Sequence, residues 1–157
     1  MNTKIFILGA GKPHHGEKHS ALDVIPDDSQ ALDWTKQVLA HLNLENNFVA
    51  GYQASEIQAA YPELNYHNNS DWETTKSGWS FLISMPSGNC DCLVLYSDVL
   101  HRTHNIDHIL DCDADVAVAI DTNWRNRFTD RSLSDQARCE KVCTKDALVT
   151  LLGSNIN

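Results

Sequence analysis

At 157 residues, 42% of them apolar, the chain suits a single domain with a real core, read here as 1–157. A net charge of −9 argues against nucleic acid as a partner, because a phosphate backbone calls for clustered Lys and Arg. No run approaches the roughly 20 apolar residues of a membrane span, so no membrane partner is expected and a cytoplasmic location is.

Ile5-Phe6-Ile7-Leu8 is a continuous apolar run that turns at once into Gly9-Ala10-Gly11-Lys12. That predicts a first strand buried on both faces, not a signal peptide. A polar loop follows from Gly9 to about Pro26. Ala31, Leu32, Trp34, Val38, Leu39 and Leu42 then recur at helical spacing, which predicts a helix over 29–43 with Ser29 as N-cap. Phe48-Val49-Ala50 reads as a second strand ended by Gly51-Tyr52. Ser55–Tyr61 reads as a short helix stopped before Pro62. Leu64–His67 is a weak third strand, and 77–85 a helix ended by Pro86-Ser87-Gly88. Cys92–Tyr96 is the clearest central strand, Asn105–Leu110 a helix, and Val116–Ile120 another buried strand.

Strands and helices alternating through residue 121 imply a mostly parallel sheet with helices on both faces, a three-layer α/β/α Rossmann-like arrangement. Ligands of such sheets gather beyond the carboxyl ends of the strands. Gly9-Ala10-Gly11-Lys12, Gly51-Tyr52, Ser97-Asp98 and Asp121 all fall there. After Phe128 the pattern fades, and Glu140-Lys141-Val142 and Leu148–Leu152 read as strands that need partners.

A glycine-rich turn leaving a buried strand lets backbone N–H groups approach a phosphate, with Lys12 and Lys18 as counter-charges. It is not a Walker A loop, since no Gly-Lys-Ser/Thr follows at the right spacing, nor is it Gly-x-Gly-x-x-Gly, because position 14 is His. Asp98, two residues beyond a strand, is placed to hold Mg²⁺; spacing alone reads it equally well as a turn or capping residue. The five cysteines are expected to be reduced thiols. Cys90 and Cys92 point the same way in a strand but lack the usual zinc spacing, so they read as small buried residues. His14, His15 and His19 crowd one loop, where metal binding competes with a plain loop reading. Arg125, Arg127, Arg131 and Arg138 either face a phosphorylated ligand or balance Asp121, Asp130 and Asp135.

A series of segments resembles the nucleotidyltransferase family of the sugar-1-phosphate and phosphocholine cytidylyltransferase type. Ile7-Leu8-Gly9-Ala10-Gly11 followed by Ser20-Ala21-Leu22 resembles its Ala-Ala-Gly-x-Gly-x-Arg and Pro-Lys-x-Leu signature. Val49-Ala50-Gly51-Tyr52 resembles its second strand and Gly-Tyr turn. Asn69-Ser70-Asp71-Trp72 with Thr75 and Ser80 resembles its Asn-Pro-x-Tyr segment, and Leu95–Leu100 its metal-binding Gly-Asp-Val segment. Ala119-Ile120-Asp121 to Trp124-Arg125, then Ala137–Val142, resembles later family strands.

The resemblance implies the N-terminal portion of a GT-A-like domain, read as truncated at the C-terminus, that binds a nucleoside triphosphate, CTP, with Mg²⁺ held by Asp98. Leu8, Gly9, Ala10, Gly11, Gly51, Tyr52, Asn69 and Ser80 would contact the nucleotide, and Lys12 and Lys18 would serve catalysis. The implied reaction transfers NMP to a small phosphorylated acceptor and releases pyrophosphate, with a homo-oligomer or further sequence completing the site. The sequence departs from the family at three places. His15 falls near the loop arginine and Pro13 replaces the second loop glycine; His19-Ser20 replaces Pro-Lys; the family's second metal-binding Asp lies beyond the chain. These departures leave open a nucleotide-binding or regulatory module that does not turn over. A glycosyltransferase of the same fold would favour Asp-x-Asp at the metal strand, where Asp98 is followed by Val99-Leu100.

Overall fold

In the computed structural model, which describes residues 2–14, 16–153 and 156, the first apolar run becomes strand β1 (Thr3–Gly9). Helix α1 (Ala31–Leu39), strand β2 (Asn46–Ala50), helix α2 (Ala54–Ala60), strand β3 (Asn65–Asn68), helix α3 (Ser77–Ser84), strand β4 (Asp91–Tyr96) and helix α4 (Thr103–Leu110) follow. The four strands pair in parallel in the order β3-β2-β1-β4. The chain divides into two compact units, Met1–Cys112 and Asp113–Asn157.

In the first unit the alternation of side chains along the strands sorts two cores. Ile5, Ile7, Phe48, Leu93 and Leu95 point to one face, where Leu32, Val38 and Leu39 of α1, Ile57 of α2 and Ile106 of α4 cover them. Phe6, Leu8 and Val49 point to the other, against Phe81 of α3, whose ring meets Phe6 edge-on at 5.5 Å. Helices on both faces of a parallel sheet make this an α/β fold, as the alternation predicts.

Three expectations are corrected in detail. Helix α1 starts at Ala31 rather than Ser29, because the Ser29 hydroxyl is engaged by Asp27 Oδ1 at 2.6 Å. Gln30 takes the cap position and donates its N–H to Asp33 Oδ2. The helix tightens into a 3₁₀ turn over Ala40–Leu42, and Asn43 ends it in the left-handed region at φ 49°. Strand β4 is an edge of the four-stranded sheet, not its centre, which is shared by β1 and β2. Only Leu93 and Leu95 of β4 are buried, while Val94 and Tyr96 on its other face are exposed. Its apolar run therefore looked two-faced in a strand that is buried on one face.

Val116–Ile120 forms no strand. Val116 is 81% exposed and Ile120 41%, in irregular backbone. β-branched composition yields a strand only where a neighbour takes up the backbone bonds. Asp121, expected at a strand end, instead accepts two bonds from the Arg127 guanidinium, at 2.7 and 2.8 Å.

The second unit contains helices α5 (Trp124–Arg127) and α6 (Leu133–Arg138) and an antiparallel hairpin of β5 (Lys141–Lys145) and β6 (Leu148–Gly153). The two late strands thus find partners in each other, through a two-residue turn with Asp146 and Ala147 both at positive φ. The basic stretch is absorbed locally. Arg127 pairs with Asp121, as a charge-balancing surface would have it, while Arg125 lies over the Trp124 ring and Arg131 over Phe128. The Arg138 side chain lies outside the described residues.

Candidate functional site

Parallel pairing brings the carboxyl ends of β1 to β4 to one edge. Leu8 stands opposite Tyr96, Gly9 opposite Ala50, and Ala50 opposite Asn68. One further backbone bond stitches each pair of following loops. Tyr52 N–H donates to Ala10 O (2.8 Å), Asn69 N–H to Ala50 O (2.8 Å), and Ser97 N–H to Leu8 O (3.0 Å).

Gly9 and Gly51 at this edge are there for space. A Cβ on Gly51 would lie 2.6 Å from Ala10 O and 2.7 Å from Trp72 Cβ, and one on Gly9 would meet the buried Phe48 ring. Leu8, Gly9 and Ala10 are buried, so the expected ligand-facing part of the loop begins at Gly11 and Lys12, both exposed. Among the described residues, the backbone N–H groups of Gly11 and Lys12 make no hydrogen bond. The Lys12 ammonium lies 5.6 Å from the centre of the Tyr52 ring, which itself packs edge-on against Trp72 at 5.3 Å.

Tyr52 also ties the far end of the loop, its hydroxyl donating to Glu17 O at 2.6 Å. Tyr52→Phe is expected to lower the unfolding free energy by about 1 kcal/mol or less, since water can replace the donor at the exposed Glu17 carbonyl. A urea titration of the variant checks this.

Asn69 and Ser80 meet each other beneath this edge. Asn69 is 1% exposed, and its amide donates to Ser80 Oγ and Thr75 Oγ1, both at 2.9 Å, while its Oδ1 accepts from Asp71 N–H. Every polar atom of the Asn69 side chain is therefore engaged in holding the loop from Asn69 to Thr75. Asp98 is exposed beyond β4, and its carboxylate makes no hydrogen bond or ion pair among the described residues. Lys18 is exposed at the far end of the loop.

His19 is the residue whose role sequence reasoning missed. It is 1% exposed, its Nδ1 accepts from Ala21 N–H (3.1 Å), and its Nε2 lies 2.6 Å from Gly9 O. Both ring nitrogens are spent, so His19 does not belong to a histidine metal cluster; His15 lies outside the described residues. The signal was present in the sequence as a His directly before Ser20-Ala21-Leu22, which forms a 3₁₀ turn capped by that ring. Among the described residues no group of three or more His, Cys, Asp or Glu is arranged to hold a metal. Cys90 and Cys92 do share a side, with sulfurs 3.9 Å apart, but are only partly buried; burial and the neighbouring Cys90 raise the Cys92 thiol pKa.

Burial holds the His19 pKa below its ordinary value, against the opposing pull of Gly9 O and of the Asp23, Asp98 and Glu56 carboxylates. Burial also lowers His101. Both groups bind fewer protons folded than unfolded. Their contribution to stability is therefore complete above the free-histidine value of 6.5 and is lost as pH falls below it. Urea midpoints are expected to drop between pH 7 and pH 5, with a shallower drop in His19→Gln.

No protein-family model matches the sequence, and no curated protein is significantly similar to it. Among solved structures, the chain is similar to a nucleotidyl transferase from Methanothermobacter thermautotroptrophicus, with a TM-score of 0.56 and 15% identity. The match covers 68% of this chain and 56% of that one, so the chain spans little more than half the length of its neighbour. None of the described helices is long and apolar enough to cross a membrane. At this identity the likeness is one of fold: the chain has a nucleotidyltransferase-like α/β fold.

Proposed function

We propose that the chain binds a nucleoside triphosphate, CTP, at the carboxyl edge of its sheet and transfers the nucleotidyl group to a small phosphorylated acceptor, a sugar phosphate or phosphocholine. The observation that carries this reading is the grouping, on one edge, of two unpartnered backbone N–H groups (Gly11, Lys12), exposed ammonium groups (Lys12, Lys18) and an unpaired carboxylate (Asp98). Donors and cations together suit a polyphosphate.

In this reading an acceptor phosphate oxygen attacks the α-phosphorus. A new P–O bond forms, the bond to the bridging oxygen breaks, and its electron pair leaves with pyrophosphate. The chemistry asks for positioning and charge neutralisation more than for a proton carrier. Lys12 and Lys18 offset the charge that builds on the leaving pyrophosphate. Asn69 and Ser80 serve through the loop that they hold. Asp98 suits Mg²⁺, which takes one or two carboxylates and fills its other positions with water and phosphate oxygens. Bound there, Mg²⁺ would supply further neutralisation of the phosphates.

The test is pyrophosphate release from CTP and Mg²⁺ with phosphocholine and with sugar 1-phosphates. Release that depends on one acceptor supports transfer; no release with any acceptor, with CTP binding intact, contradicts it. The second outcome favours a module that binds nucleotide without turnover. The lack of an arginine in the described loop and the resting of Lys12 on the Tyr52 ring speak for that second reading.

A further inference from the structure

We propose that His19 is a positioning residue that latches the glycine-rich loop shut, so that Gly11 and Lys12 are set for a phosphate before it arrives; this rests on the nucleotide reading above. Past β1 the chain is back beside the strand end at His19. Three bonds define the closure. Gly9 O accepts from His19 Nε2, Ala10 O from Tyr52 N–H, and Glu17 O from the Tyr52 hydroxyl. Tyr52 thus holds the two ends of the loop to β2, while His19 holds the ends to each other.

The imidazole does two jobs that no shorter side chain does at once. Nδ1 accepts from Ala21 N–H, which places the ring proton on Nε2, where it is donated to Gly9 O. The ring is buried beside Phe48, with centroids 6.1 Å apart, so water does not compete for either bond. Without the latch, the buried Gly9 carbonyl would keep its place in the sheet ladder but lose its bond to His19, and the returning loop would lose its tie to the strand end. A loop already closed spares a ligand much of the entropy of ordering it.

The two bonds can be separated by substitution. Gln at 19 reaches Gly9 O with an amide N–H. Asn is too short for that but can still accept from Ala21 N–H. His19→Ala loses both. The full chain carries its own probe of loop opening, because Lys18 is exposed and followed by a residue that trypsin tolerates, whereas Lys12 precedes Pro13.

The experiment measures, for wild type and the three variants, tryptic cleavage after Lys18 without nucleotide, the affinity for CTP with Mg²⁺ by calorimetry, and the unfolding temperature. Cleavage is expected to be about tenfold faster, and CTP affinity about tenfold weaker, in His19→Ala and His19→Asn, with His19→Gln close to wild type, the effect of one good hydrogen bond. Should His19→Ala fail to fold, the Asn and Gln pair decides alone. Asn and Gln variants that behave alike, or that track the unfolding temperature only, overturn the proposal. If cleavage separates Asn from Gln while the wild-type chain binds no nucleotide, the latch stands and the nucleotide reading falls.

Discussion

Gly51→Ala is expected to destabilise the parallel-sheet unit by about 2–3 kcal/mol, at the upper end of what an inserted methyl group costs in a packed region. The added Cβ would fall 2.6 Å from Ala10 O and 2.7 Å from Trp72 Cβ. Neither neighbour is the far end of a flexible chain. Ala10 O is fixed by the Tyr52 N–H bond, and Trp72 Cβ is bonded directly to the backbone of the loop that Asn69 organises, so it cannot swing aside. Relief requires the β1 and β3 loops to part, which opens the candidate site as well as costing stability. Gly11→Ala is the matched control. A Cβ there meets nothing within 4 Å, so stability is expected to stay within about 0.5 kcal/mol of wild type. Nucleotide affinity is nonetheless expected to fall in Gly11→Ala, because the methyl group stands where a phosphate would approach the backbone. Urea unfolding and CTP titration of the two variants separate packing from binding.

Asp98→Ala is expected to leave stability nearly unchanged and to remove the Mg²⁺-dependent part of nucleotide affinity, a loss of about tenfold or more. The carboxylate is exposed and has no partner among the described residues, so folding does not depend on it. Like-charge repulsion argues for the same experiment from the opposite side. Without the cation, removing Asp98 takes a negative charge away from a polyphosphate, so in EDTA the variant is expected to bind CTP no worse than wild type. Equal losses with and without Mg²⁺ would contradict a metal role for this residue.

The parts of the fold legible in the sequence are those where local pattern and tertiary need coincide. Ile5–Leu8 is apolar throughout because β1 is covered on both faces, and α1 is periodic because Leu32, Val38 and Leu39 meet the sheet. The same rule misplaced β4 and Val116–Ile120. A short run of apolar β-branched residues states a preference for extended backbone without naming the strand that will pair with it. The α1 start was misread for a local reason, since Asp27 competes for the Ser29 hydroxyl.

For the site, topology did most of the work: glycines and polar residues after strands were bound to meet at one edge once the sheet proved parallel. What the sequence could not convey is which of these side chains remain free. Asn69 and Ser80 carry the right chemistry for a ligand but satisfy each other, and His19, read as a metal candidate, turned out to be a buried structural bond. Hydrogen-bond satisfaction is a three-dimensional property that spacing does not encode.

The most direct test of the account is calorimetric titration of the whole chain with CTP, UTP, ATP and GTP, in Mg²⁺ and again in EDTA. The account predicts saturable binding of one nucleotide, CTP, that weakens when the cation is removed. No binding of any nucleotide at millimolar concentration would contradict it, leaving a nucleotidyltransferase-like fold whose sheet edge does not take a nucleotide.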